Sequence, residues 1–122
     1  MMTCIIRLDA SAEIGYGHLM RCLALGEVLR DFFEVMYVVR KDDAIKEIRQ
    51  RHFKVREIAD DIDEEALLLS LASEYPKSIW IIDIKKQFPK GFLPELKRKC
   101  NLLLLIENLS YDLKTADGTL FP

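Results

Sequence analysis

Two kinds of segment are missing from this sequence. No apolar run approaches the ~20 residues a helix needs to span a bilayer, and no block of lysine and arginine offers a footprint for nucleic acid. The 18 basic and 20 acidic side chains leave a net charge of −2. The N-terminus turns polar at Arg7, too soon for the apolar core of a signal peptide. Cysteine is scarce and odd in number, and Cys4, Cys22 and Cys100 fall in or beside predicted regular elements. They read as buried, reduced thiols of a cytoplasmic protein rather than as a disulfide or a metal site. Internal repeats, low-complexity tracts and interior linkers are absent as well.

What is present is an alternation of strand and helix patterns in a chain whose length suits one domain. Thr3 to Leu8 reads as an isoleucine-rich strand, Leu19 to Arg30 as a largely apolar helix, and Glu34 to Val39 as a second strand. Asp42 or Asp43 can cap a helix running through Arg51, with Ile45, Ile48 and His52 along one side. Phe53 to Ile58 alternates apolar and charged residues, as an exposed strand does, and His52 reads as a surface residue. Asp61 and Glu64 resemble a capping box for a helix through Leu67 to Ala72, and the acidic set Asp60, Asp61, Asp63, Glu64 and Glu65 reads as helix-start chemistry. Ser78 to Asp83 and Leu102 to Ile106 are continuous apolar strands. Between them Phe92 to Lys99 is a helix with Pro94 in its first turn, and Gly118 to Phe121 begins a sixth strand. Strands apolar on both faces, alternating with helices, predict an α/β fold: a doubly wound, mostly parallel, Rossmann-like sheet with the first strand central. Ligands gather at the carboxyl ends of such strands, where Asp9, the Gly15–His18 segment, Asp83 and Glu107 fall.

The stretch from Arg7 to Arg21 is the focus of the chemistry. A strand, a loop with two glycines and a helix start can cradle an anionic group, because glycine lets the backbone approach and free helix N–H groups favour negative charge. The familiar nucleotide fingerprints fail. Met20 stands where a dinucleotide loop wants its third glycine, Arg40 and Lys41 follow the second strand in place of an acidic residue, and no Gly-Lys-Ser/Thr ending is present. A phosphorelay receiver is disfavoured too, for want of an acidic pair after the first strand and a late lysine. What remains is His18 beside Gly15 and Gly17, with Arg21 one turn later on the same face. A neutral imidazole there can take a proton from water or a sugar hydroxyl, as a general base does. Arg21 suits a phosphate or sugar, or is a solvated helix residue. An unpaired Arg7 in an apolar strand would be costly, so Asp9 is its expected partner, as scaffold rather than catalyst.

Arg7, Asp9, Ser11, Gly15, Gly17, His18, Arg21 and the run Cys22-Leu23-Ala24-Leu25 resemble the N-terminal signature of a nucleotide-sugar enzyme family. It includes the UDP-sugar hydrolase of pseudaminic acid biosynthesis and glycosyltransferases of spore-coat polysaccharide biosynthesis. The resemblance implies the N-terminal half of a GT-B-like fold over residues 1–122, with the C-terminal nucleotide-binding domain absent from this chain. It implies His18 as general base, Gly15, Gly17, Arg21 and Asp83 as substrate-binding residues, and a UDP-sugar substrate, with no metal and no cofactor. It also implies a second Rossmann-like domain or a partner chain, and the apolar first helix could pair with a copy of itself. Where the hydrolase has a histidine and a tyrosine after the aspartate at position 83, Ile84-Lys85-Lys86 follows here. The alternatives are a glycosyltransferase half-domain and a non-catalytic sugar-binding or assembly module.

Overall fold

The computed structural model describes residues 1–9, 16–40, 44–108, 110 and 112–120. Among them six strands form one wholly parallel sheet: β1 (Thr3–Leu8), β2 (Glu34–Arg40), β3 (Lys54–Ile58), β4 (Ile79–Asp83), β5 (Leu102–Ile106) and β6 (Gly118–Leu120). Their order across the sheet is β3-β2-β1-β4-β5-β6, so β1 is central, as expected, and the strand order reverses between β1 and β4. The helices are α1 (Tyr16–Leu29), α2 (Ala44–Gln50), α3 (Glu64–Glu74) and α4 (Phe92–Lys99). The architecture is a single doubly wound Rossmann-like α/β domain.

The sheet separates two apolar cores. On one face Cys4, Ile6 and Leu8 pack with Leu19, Cys22 and Leu23 of α1 and with Ala44, Ile45 and Ile48 of α2. On the other, Ile5, Trp80 and Ile82 pack with Leu68, Leu71 and Ala72 of α3 and Phe92, Leu93 and Leu96 of α4. Burial on both faces is why β1, β2 and β4 are apolar almost throughout. The more polar β3 takes an outer place beside β2.

Several boundaries differ from expectation for identifiable reasons. α1 begins at Tyr16, so Gly17 and His18 belong to its first turn rather than to the loop before it. Gly15, and Asp42 and Asp43 as caps of α2, lie outside the described residues. α2 ends at Gln50, and His52 follows it, exposed and with φ of 65°, in place of extending the helical stripe. The cap of α3 is Asp63, whose Oδ1 accepts from Ala66 N at 3.3 Å, and not Asp61. Glu64 leaves the acidic surface cluster altogether and is buried.

Candidate active site at the carboxyl edge

Side-chain alternation along the central strands decides which residues can meet. In β4, Ile81 belongs to the core under α1 and Trp80 and Ile82 to the opposite one, so Asp83 points toward α1. On α1, His18, Arg21 and Cys22 stand at positions i, i+3 and i+4 and share one face. All three converge on Asp83. Arg21 Nη2 donates to both carboxylate oxygens at 3.1 and 3.2 Å, and the Cys22 thiol donates to Oδ2 at 2.9 Å. The carboxylate is almost fully buried, and Arg21 supplies the positive charge that makes this tolerable. Burial works against the Arg21 charge, but the Asp83 hydrogen bond and charge outweigh it and hold the guanidinium above its ordinary range. For Cys22, burial first and then the bond to Asp83 push the thiol far up. Cys22 is therefore a protonated donor here, not a nucleophile.

The hydrogen bonds also assign the His18 tautomer. Arginine can only donate, so the 3.1 Å contact from Arg21 Nη2 makes Nδ1 an acceptor. The proton then sits on Nε2, which donates to the backbone carbonyl of Asp83 at 3.0 Å. Asp83 Oδ1 is 3.6 Å from the same nitrogen. Both ring nitrogens are engaged, one by backbone and the other by a side chain that is 44% exposed.

Beside this cluster opens a cavity of about 440 Å³ lined by Asp9, His18, Asp83, Ile84, Lys85, Lys86 and Glu107. Of the residues singled out from sequence, Asp9, His18, Asp83 and Glu107 line it, and Arg21 does not but contacts both His18 and Asp83. Gly17 lies one residue before His18, and a Cβ built on it would meet no atom within 4 Å. The segment after β5 braces the chain beyond β4. The buried Asn108 donates from Nδ2 to the carbonyls of Ile84 and Lys86, each at 2.7 Å, and Ser110 Oγ accepts from Phe88 N at 2.9 Å. These bonds hold the segment that carries Lys85 and Lys86.

Arg7 faces away from α1, because alternation in β1 puts it with Ile5 toward α3. Asp9 is its partner, as expected, at 2.7 Å, but Glu64 takes the other side of the guanidinium with contacts of 3.0 and 3.1 Å. Arg40 at 3.1 Å and Lys86 at 3.7 Å complete the positive surround of Glu64. Burial tends to raise the Glu64 carboxyl, and the Arg7 hydrogen bonds overcome it and hold it below its ordinary value. Sequence reasoning missed Glu64, Asn108 and Ser110. The signal for Glu64 was the alternation itself, which sends Arg7 to the layer opposite His18; Asn108 and Ser110 carried none.

No protein-family model matches the chain, and no solved structure matches it at a significant level. Over 110 residues, 88% of its length, the chain is 30% identical to the uncharacterized protein MJ1062 of Methanocaldococcus jannaschii. The chain spans 22% of that protein's length.

Proposed function

We propose that this chain is the sugar-side domain of a cytoplasmic nucleotide-sugar hydrolase. In this reading His18 is the general base and Gly17, Arg21 and Asp83 are substrate-binding residues, as is Gly15, which lies outside the described residues. One observation carries the proposal: a tautomerically defined imidazole stands at the edge of a 440 Å³ cavity, and among the described residues its acceptor nitrogen is met by a half-exposed arginine. A substrate diphosphate offers Arg21 an alternative anionic partner. Once Arg21 turns to it, Nδ1 is free to take a proton from water, while Asp83 holds Nε2–H and stabilises the imidazolium that forms. The water oxygen bonds to the anomeric carbon, the bond from that carbon to the diphosphate breaks, and UDP leaves. Lys85 and Lys86 at the cavity wall add positive charge near the leaving group. A glycosyltransferase would use the same base on an acceptor hydroxyl.

The non-catalytic alternative has its own support, since both His18 nitrogens are occupied. The experiment that separates them is His18→Asn in a complete enzyme carrying this domain, read by UDP release. Loss of a general base lowers turnover by about 10²–10⁴-fold, on the order of 3–5 kcal/mol of barrier, with circular dichroism unchanged. Near-normal kcat would remove His18 from the chemistry.

A further inference from the structure

Three chemically different ligand atoms meet at the cavity wall: His18 and Asp83 line the cavity, and the buried Cys22 stands beside them. The imidazole of His18, the thiol of Cys22 and the carboxylate of Asp83 each offer one, and all lie within 4.8 Å of one another. His18 Nε2 is 3.6 Å from Asp83 Oδ1, and Cys22 Sγ is 2.9 Å from Asp83 Oδ2. Donors around a tetrahedral ion bound at ~2.0–2.3 Å stand about 3.3–3.8 Å apart, so shifts on the order of an ångström would bring these three to ligation distance. Two of them come from adjacent turns of one helix and the third from a strand end, so the trio is held by rigid elements. The cavity side leaves a fourth position for water, the arrangement of three protein ligands and one open site.

We propose that His18, Cys22 and Asp83 form a binding site for a divalent transition-metal ion of the zinc or cobalt class, and that the Arg21 guanidinium is its built-in competitor. A mixed nitrogen, sulfur and oxygen set selects such ions over magnesium or calcium, which want oxygen alone. Arg21 already contacts His18 and both Asp83 oxygens, so the same positive charge cannot coexist with an ion among those donors. Being half-exposed, it can turn out to solvent. The exchange balances simply. The ion bonds to sulfur as the thiol proton leaves for solvent. If Nε2 ligates, its proton moves to Nδ1, which Arg21 has vacated, so one proton is released per ion bound. The inference does not rest on the hydrolase reading, although an ion there would take His18 out of service as a base.

The test is cobalt and zinc titration of the purified chain, with no substrate. We expect one ion per chain, a thiolate-to-cobalt charge-transfer band, and release of one proton, counted by calorimetry in buffers of different ionisation enthalpy. Cys22→Ser should abolish the band and weaken binding by roughly tenfold or more. Arg21→Met should tighten binding by roughly tenfold, because it removes the competing charge. Should Cys22→Ser not fold, the variant Cys4→Ala/Cys100→Ser, which leaves the trio intact, should keep the band and so assign it. No binding, binding without the band or the proton, or an affinity unchanged or weakened in Arg21→Met would overturn the proposal.

Discussion

Two glycines on one helix illustrate how differently the same residue can be required. Gly17 lies in the first turn of α1, with open space where a side chain would go. Gly26 lies against β2, where a Cβ would collide with the Tyr37 hydroxyl and crowd the Phe53 ring. That hydroxyl donates to the Cys22 carbonyl at 2.7 Å, so the close approach at Gly26 also steadies the turn that carries the site. Gly17→Ala should raise stability by ~0.5–1 kcal/mol, since alanine is the better helix former. Gly26→Ala should lower it by ~1–3 kcal/mol through overpacking. Thermal melts of both variants check this. If Gly17→Ala also weakens ligand binding in a complete enzyme, the missing Cβ there serves the ligand; equal destabilisation by the two would mean that the packing difference does not matter.

At the scale of elements, the junction of β1 with α3 is a buried ionic contact whose strength follows pH in a definite direction. Because Arg7 holds the Glu64 carboxyl below its ordinary 4.5, the contact contributes its full stability above that value and loses it as pH falls through the lowered folded value. Glu64→Gln should cost about 3–5 kcal/mol at pH 7, the range for breaking a buried pair from one side. The gap to the unmodified chain should narrow as pH drops below 4.5. Asp117 is lowered as well, by its bond from Leu103 N and by Lys97, and adds acid sensitivity to both proteins, so the difference isolates Glu64. Urea unfolding between pH 7 and 3 measures it, and a gap independent of pH would show that Glu64 is not the titrating group. The same junction marks the limit of legibility. Ile79-Trp80-Ile81-Ile82 and Leu102–Ile106 announce strands, the first buried almost throughout and the second alternating between buried and half-buried residues, and the spacing of His18 and Arg21 puts both on one helical face. Glu64 was not legible in that way. An acidic residue beside an Asp cap has the same sequence context whether it faces water or turns inward, and only the position of Arg7 across the sheet separates the cases. The helix start shifted for a related reason: a Gly-Tyr-Gly run suggests a loop, yet Gly17 is helical.

For the molecule as a whole, the proposed division of labour makes a prediction about the 122-residue chain by itself. It should fold, since both cores are covered by helices, yet bind UDP-N-acetylglucosamine weakly and release no UDP. In the proposed reading a second domain supplies most contacts to uridine and diphosphate, and a sugar on one open wall stays hydrated, which weakens positioning and electrostatic stabilisation. Titration calorimetry beside a UDP-release assay decides it; micromolar affinity or clear turnover would put the whole site within this chain. Among the described residues no helix is long and apolar enough to cross a membrane. The central place of β1 has a further consequence, in the order of synthesis. His18 and Asp83 are 65 residues apart, and Arg7 and Glu64 are 57 apart. As the chain emerges from the ribosome, β1 and β2 can pair early, but one edge of β1 stays bare and its guanidinium lacks Glu64 until α3 and β4 follow. The nascent chain is most open to sticking to its neighbours in that interval. The pairing of β4 that closes this edge also delivers Asp83 to α1, so the cluster is assembled at the moment the exposed edge is protected.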